Sequence, residues 1–257
     1  MKLIIKILQI LNLKLVFFDK YLQAIRDENT RIKQGREIYI RAQLSKFDLD
    51  YNSLSALSNS ELEQDLFVIS VVGKLPGFFV DIGAADGLSL SNTKLLEDLG
   101  WKGILVEPSK HWHPILKNRL GYISHCAISQ DDSGKNFLET TDPYKSTLYE
   151  NLGRDKHERR AKSMYGVPTI TLLNLLEKYN APNVIDYLSI DTEGNDFEVI
   201  QNFDFNLYKF KVITIEHNFT DSREKIYNLL TANGYSRVLE YFSRHDDFYV
   251  LESALIE

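Results

Sequence analysis

Short apolar runs alternate with helical segments along the middle of the chain. The first run, Phe78–Ile82, is too short for a helix and ends at a glycine-containing turn, so it predicts a buried strand. A helical pattern follows at 94–99, and a second apolar run occupies 103–106. Because strand and helix patterns continue to alternate, the chain predicts a parallel sheet with right-handed crossovers.

The same alternation continues towards the C-terminus. Strands are predicted at 122–129, 135–139, 167–172, 184–191 and 212–216, and helices at 109–119, 172–179, 197–202 and 222–233. Two final segments, 237–240 and 248–251, predict an antiparallel hairpin. The predicted fold class is therefore α/β, with a mostly parallel doubly wound sheet and an antiparallel C-terminal edge hairpin.

The most apolar stretch of the chain is the segment 1–18. Lys2, Lys6, Gln9 and Asn12 would share one helical face there, and Leu, Ile and Phe fill the remainder. Three lysines in 18 residues argue against a membrane-spanning helix, and no small-residue cleavage site indicates a secretory signal. Two interpretations stay open. The helix packs on its own domain or on a second subunit of a homo-oligomer, or it makes a peripheral contact with a membrane.

A polar segment with a helical pattern follows at 19–57. The spacing of Ser58 and Glu61 is that of a capping box, which predicts the start of another helix. We therefore expect a domain boundary near residue 58, with a helical extension at 1–58 and the sheet-containing domain at 59–257.

Composition and charge narrow the class of protein. With 257 residues and 44% apolar content, the chain is long enough for one α/β domain and an extension. A net charge of −6 and a pI near 5.6 disfavour nucleic acid as a partner. Cys126 is the single cysteine, so no intrachain disulfide forms, and a reducing, cytoplasmic location is expected.

The turn after the first strand carries the first candidate chemistry. Its glycines, Gly83 and Gly87, lack the G-x-G-x-x-G spacing that binds a pyrophosphate. The carboxylates of Asp81 and Asp86 instead favour a positively charged ligand, such as the sulfonium and ammonium groups of S-adenosylmethionine. Glu107 ends the second strand about 20 residues later, where a carboxylate commonly binds ribose hydroxyls. The alternative is a plain strand-to-helix turn with surface carboxylates.

Further ionisable residues stand at the ends of two later strands. Asp191 and Glu193 follow one of them, and Glu216 and His217 end the next. Because the carboxyl ends of parallel strands meet at one edge of a sheet, these residues are expected to converge with the acidic strand ends described above. An alcohol that accepts a methyl group must lose its proton. His217 is the best base by type, and Asp191 either orients it or acts as the base itself.

A divalent metal is an alternative to a base, because a bound cation would stabilise the alkoxide that forms as the hydroxyl loses its proton. Asp191, Glu193 and Asn218 offer hard oxygen ligands of the kind that Mg²⁺ accepts, and His217 would join them around a softer ion. The structural alternative for His217 is a histidine that is hydrogen-bonded beside the sheet.

Residues 130–168 interrupt the alternation of strands and helices. An insertion at this point is expected to cover the active site. It carries a basic cluster made of Arg154, Lys156, His157, Arg159, Arg160 and Lys162. This cluster either binds an acidic substrate or a phosphate-bearing carrier, or it forms an exposed charged helix.

Several segments, taken in order, resemble one known family. VDIGAADG, SNTKLLEDLGWKGILVEPS, SHCAIS, YLSIDTEGNDFEVI and VITIEHN resemble the FkbM-type S-adenosylmethionine-dependent methyltransferases, over roughly 61–251. The resemblance implies a class I methyltransferase, Rossmann-like fold for 59–257. It also implies O-methylation of a sugar or glycan hydroxyl, or of a small secondary metabolite.

Each expected site residue can be named. The expected cofactor-binding set is Asp81, Gly83, Ala84, Asp86, Gly87, Asn92, Glu107, Pro108, Cys126, Ala127 and Asp191. The resemblance implies that Asp191, Glu193 and His217 face the acceptor. One residue departs from the family pattern, because Asn174 stands where relatives commonly carry Asp.

Two other function classes are considered. The first is a non-catalytic nucleoside-binding module, and the intact set of Asp191, Glu193 and His217 argues against it. The second is an NAD-dependent oxidoreductase, which the missing G-x-G-x-x-G spacing disfavours.

Overall fold

A computed structural model describes residue 23 and the ranges 25–73, 76–154 and 157–255. The predictions for 1–18 and for Lys156 lie outside these described residues. Residues 25–44 form the first helix, α1. Within the described ranges, no helix combines the length and the apolar character that crossing a membrane requires.

Short helices connect the strands. The remaining helices are α2 Tyr51–Ser55, α3 Gln64–Val72, α4 Lys94–Asp98, α5 His113–Leu116, α6 Leu172–Lys178, α7 Asp196–Ile200 and α8 Ser222–Ala232. The strands are β1 Phe78–Ile82, β2 Lys102–Val106, β3 Tyr122–Ser124, β4 Ala127–Ile128, β5 Lys135–Thr140, β6 Thr147–Leu148, β7 Ala161–Val167, β8 Thr169–Ile170, β9 Val184–Ile190, β10 Lys209–Glu216, β11 Tyr235–Val238 and β12 Asp246–Leu251.

The central sheet has the strand order β11-β12-β10-β9-β1-β2-β3. β1 pairs in parallel with both β2 and β9, and β9 pairs in parallel with β10. The strand order reverses beside β1, so the carboxyl ends of β1 and β9 open the crevice in which such sheets bind ligands. β12 is antiparallel to both β10 and β11, which confirms the C-terminal hairpin and leaves β11 at the edge.

The strand predicted at 122–129 is divided in two. Its first part, β3, joins the central sheet beside β2, whereas β4 pairs with β8 instead. The chain leaves the central sheet at His125, and the backbone N–H of Ala127 then donates to the carbonyl of Pro168 at 2.9 Å. This second pairing ties the insertion to the body of the domain.

The insertion forms its own antiparallel sheet in the order β6-β5-β7. The exposed charged helix, one of the two alternatives for the basic cluster, is wrong for the described residues, because 157–160 are irregular and 161–167 form β7. Tyr165 and Val167 turn one way and pack with Phe137, whereas Lys162 and Met164 stay exposed. Antiparallel pairing of β7 with β5 therefore decides the structure here, and the charge pattern does not.

Two apolar clusters cover the two faces of the central sheet. One lies under α6, α7 and α8, and the other lies under α1, α3 and α4. Ile40 and Leu44 of α1 are fully buried in the second cluster, together with Phe67 of α3 and Phe79 of β1. The described part of the N-terminal extension therefore shares a core with the sheet.

Candidate active site

A cavity of about 320 Å³ opens at the carboxyl ends of β1, β2, β9 and β10. Most of the residues predicted for the site line it: Asp81, Gly83, Ala84, Asn92, Glu107, Pro108, Ala127, Asp191, Glu193 and Asn218. Residues predicted for the site that do not line it are Asp86, Gly87, Cys126 and His217. The strand ends thus bring most of the predicted set together, as the parallel pairing requires.

Gly83 sits where β1 turns away from the sheet, and only glycine fits there. Its φ is +92°, and a Cβ on it would lie 1.6 Å from the carbonyl oxygen of Asp191. The neighbouring backbone N–H groups of Gly83 and Ala84 donate to the carbonyl of Val106 at 3.0 and 3.1 Å. This close approach fixes the turn against both flanking strands.

Two buried carboxylates organise the end of the cavity beside β1 and β2. Glu107 accepts hydrogen bonds from the backbone N–H groups of Ala85 at 2.9 Å and Ser109 at 2.7 Å, and burial raises its pKa to about 7. Asp81 accepts a 2.6 Å hydrogen bond from the Thr93 hydroxyl, and burial raises its pKa as well. Each carboxylate is held in place by donors from the following loop or helix.

Three of the residues that do not line the cavity support its walls. Asp86 accepts hydrogen bonds from the backbone N–H groups of Leu88 and Ser89, both at 2.8 Å, and so shapes the loop. The carbonyl of Gly87 accepts from Arg119 at 2.7 Å. Cys126 is half-buried and packs against the apolar core. Because these three residues do not line the cavity, their positions do not favour direct contact with a ligand bound in it.

His217 lies on the other side of the β10 terminus from the cavity. Its side chain is fully buried, its Nδ1 accepts from the backbone N–H of Phe219 at 3.0 Å, and its Nε2 lies 3.7 Å from Asp247 Oδ1. Burial lowers the pKa of this imidazole to about 4. The geometry therefore does not support His217 as the base or as a metal ligand. Successive side chains of a strand face opposite ways, so Glu216 faces the cavity instead.

The end of the cavity beside β9 and β10 is strongly acidic. Burial and the neighbouring carboxylates raise the pKa of both Asp191 and Glu216 well above the usual range. Asp246 begins β12 and also borders the cavity, where its Oδ2 accepts from Gln64 Nε2 at 2.7 Å. Among the described residues, no hydrogen-bond partner is found for Glu216 Oε2 or Asp246 Oδ1. This end is built to receive hydrogen-bond donors or positive charge.

Other lining residues were not expected from the sequence to belong to the site. β12 runs antiparallel, so its first residue, Asp246, starts at the edge where the parallel strands end. A hairpin signal combined with an acidic first residue could have identified it. The insertion contributes Phe137, Tyr144, Leu148 and His157 to the lining, which fits its expected role as a cover.

The insertion is tied to the acidic end by a buried cation. Arg159 Nη2 lies 2.9 Å from Glu193 Oε2, and its Nε donates to the carbonyl of Lys145 at 2.7 Å. Elsewhere in the basic cluster, Lys162 pairs with Glu139 at 2.9 Å. Arg159 and Lys162 are therefore both paired within the protein.

A family described as the methyltransferase FkbM domain matches residues 81–249, which span β1 to β12. The chain belongs to the FkbM methyltransferase family. The match begins at Asp81 and includes Glu107, Asp191 and Glu216, and all four residues line the cavity.

Comparisons with individual proteins add little to the family assignment. No curated protein matches the chain significantly. Among solved structures, a chain in the crystal structure of the fibrillarin/Nop5p complex covers 68% of this chain and 71% of its own length. Its sequence identity to this chain is 13%, and the TM-score between the two structures is 0.34.

As an FkbM methyltransferase, the protein is an enzyme of methyl transfer with a Rossmann-like sheet. Such transfer requires the enzyme to align a donor sulfur, a methyl carbon and an acceptor atom in one line. The cavity extends from the loop after β1 to the ends of β9 and β10. Asn174, which differs from the residue that the family pattern led us to expect, is exposed on α6. It donates a hydrogen bond to Asp132 and does not line the cavity.

Proposed function

We propose that this methyltransferase transfers a methyl group from S-adenosylmethionine to a hydroxyl of a sugar or glycan. The single observation that carries the proposal is the polarity of the acidic end of the cavity, where we place the acceptor. There Asn218 Nδ2, Glu216 Oε2 and Asp246 Oδ1 are buried and have no hydrogen-bond partner among the described residues. A polyhydroxylated acceptor can satisfy such a set of donors and acceptors, whereas an apolar metabolite cannot.

The cofactor is proposed to lie along the carboxyl ends of β1 and β2. Glu107 supports this placement because it is buried at the position where a carboxylate binds ribose hydroxyls. Ala127, Phe137 and Leu148 offer an apolar wall for the adenine ring. The carboxylate of Asp81 lies at the start of the same path and favours the positive charges of the methionine portion.

Asp191 is proposed to accept the proton of the acceptor hydroxyl. It lines the cavity at the end of β9, between the cofactor side and the acidic acceptor side. In the transfer the methyl carbon forms a bond to the hydroxyl oxygen, and its bond to sulfur breaks. The sulfonium becomes a neutral thioether, and the hydroxyl proton moves to the Asp191 carboxylate.

Two measurements test the proposal in sequence. Calorimetry should show binding of S-adenosylmethionine and no binding of NAD, and the opposite preference would reject the cofactor class. The protein is then incubated with a methyl-labelled cofactor and a panel of oligosaccharides and small hydroxylated metabolites. Mass spectrometry should find label on a sugar hydroxyl. Label only on a metabolite would replace the acceptor class, and cofactor binding with no transfer to either would favour the non-catalytic alternative.

A further inference from the structure

Three side chains from separate parts of the chain meet at the acidic end of the cavity. His157 comes from the insertion, Glu193 follows β9, and Glu216 ends β10. One ligand atom of each lies within 4.8 Å of the others, and all three residues line the cavity. An imidazole and two carboxylates form a donor set that first-row divalent cations accept.

Glu216 gives an independent indication that something positive belongs here. The residue is only 4% exposed, and within the described ranges its Oε2 has no hydrogen-bond partner. It borders the cavity, so that oxygen belongs to a group facing enclosed space. A buried carboxylate is expensive unless it is paired or coordinates a metal, so its surroundings call for a cation.

The separation between two of these ligand atoms fits a shared ion better than a direct hydrogen bond. His157 Nε2 lies 3.8 Å from Glu193 Oε2, which is too long for a hydrogen bond. Two ligand atoms that each bind one ion at about 2.1 Å stand about 3–4 Å apart. Arg159 Nη2, at 2.9 Å, also holds Glu193 Oε2 and so fixes the orientation of that carboxylate.

We propose that His157, Glu193 and Glu216 bind one divalent cation of the Mn²⁺ type at the acceptor end of the cavity. This set shares Glu193 with the metal site predicted from the sequence and replaces His217, which faces Asp247 instead. The inference rests on the proposed function only for the role of the ion. Its open coordination positions would face the acceptor hydroxyls and would place one of them near Asp191.

Manganese binding by the full-length protein tests the site without any need for activity. Titration of Mn²⁺, followed by the loss of the free-ion electron paramagnetic resonance signal, should show one bound ion. Glu216→Gln and His157→Ala should each weaken that binding more than about tenfold. His157 is partly exposed in the insertion, so its replacement keeps the test valid even if Glu216→Gln folds poorly.

Glu61→Gln is the matched control, because Glu61 lines the same cavity but lies outside the three-residue set. Its Mn²⁺ affinity should equal that of the wild type. No Mn²⁺ binding, or equal binding by wild type and both ligand variants, would overturn the site. Calorimetry of the same samples with S-adenosylmethionine tests the proposed cofactor separately from the proposed metal site. Cofactor binding without Mn²⁺ binding would reject only the metal, and the reverse would reject only the proposed cofactor.

Discussion

At the scale of single residues, Glu107 shows how one carboxylate can serve both the fold and the ligand. Each of its oxygens accepts one backbone N–H, from Ala85 and Ser109, so the side chain cannot rotate freely. A carboxylate has about four acceptor positions, so capacity remains for ribose hydroxyls. Glu107, which is proposed to recognise the cofactor, therefore also positions the loop after β1 and the segment that follows β2.

Replacing Glu107 with Gln should weaken S-adenosylmethionine binding by about 1–3 kcal/mol. The amide NH₂ would face one of the two backbone donors and would leave the ribose with one acceptor fewer. Calorimetry measures the change, and Glu177→Gln on the exposed face of α6 is the control that should bind as the wild type does. Unchanged affinity in the Glu107 variant would remove this residue from the cofactor site.

The proposed base gives a separate prediction. Asp191→Asn should slow methyl transfer by about 10²–10⁴-fold, because the amide cannot take the proton from the acceptor hydroxyl. Single-turnover kinetics with saturating cofactor isolates the chemical step. Asp48→Asn is the control, since Asp48 is exposed and its positive φ of 55° suits Asn. A transfer rate within a few fold of the wild type would assign the proton to another group.

The sequence located some of these residues and misplaced others for a definite physical reason. Asp81, Glu107 and Asp191 were predictable because each lies at the carboxyl end of a strand whose pattern is clear. His217 and Glu216 are adjacent, so a choice between them depends on which face of β10 each side chain takes. Alternation reverses with a shift of one residue, and the apolar pattern of a doubly buried strand does not reveal that register.

At the scale of elements, the insertion between β4 and β8 was the least predictable part. Its strands are held by cross-strand pairing, as in the contact between Phe137 and Tyr165. The surrounding charges resemble those of a solvated helix, and β7 pairs with β5, which lies well before it in the sequence. Pairing over such a distance leaves little local signal, so its contribution of His157 to the cavity came only from the structure.

The start of α3 gives a prediction on pH dependence. Asp65 in its first turn is fully buried, and burial raises its pKa to about 7, although the Ser58 hydroxyl donates to its carboxylate. Between pH 4 and 7 the folded state therefore binds more protons at Asp65 than the unfolded state does. Its contribution to stability is complete below pH 4 and is lost as the pH rises towards 7.

Asp65→Asn should remove this dependence. The difference between the pKa of Asp65 in the folded and unfolded states corresponds to about 4 kcal/mol. Between pH 4 and 7 the free energy of unfolding of the wild type should therefore fall by about that amount more than that of the variant. Urea denaturation at a series of pH values measures both curves. Asp221→Asn, at an exposed position before α8, should follow the wild-type curve. Parallel curves for wild type and Asp65→Asn would show that Asp65 keeps an ordinary pKa.

At the scale of the whole molecule, the parallel order of the sheet was predictable, and the relation of the N-terminal helix to it was not. Alternating patterns specify parallel strands and crossovers almost by themselves. The extension at 1–58 carries a polar pattern that does not indicate where it packs. In the structure, α1 lies on the same apolar face as α3, and Ile40 and Leu44 are fully buried.

One buried ion pair connects α1 to the rest of the molecule, and it yields the last prediction. Arg36 is 2% exposed, lies 3.2 Å from Glu63 Oε2 and donates to the carbonyl of Phe242 at 2.9 Å. Glu63 also accepts from the Tyr51 hydroxyl, so three segments distant in sequence meet at this pair. Removing the guanidinium would leave Glu63 as a buried carboxylate without its cation.

Arg36→Ala should therefore lower the free energy of unfolding by about 3–5 kcal/mol, the usual cost of breaking a buried pair from one side. Urea denaturation measures this, with Arg31→Ala at an exposed position of the same helix as the control. If α1 were only an appendage, its loss of anchoring would leave the main unfolding transition unchanged. A single cooperative transition at lower urea would instead show that α1 and the methyltransferase sheet fold as one unit, because they share one core.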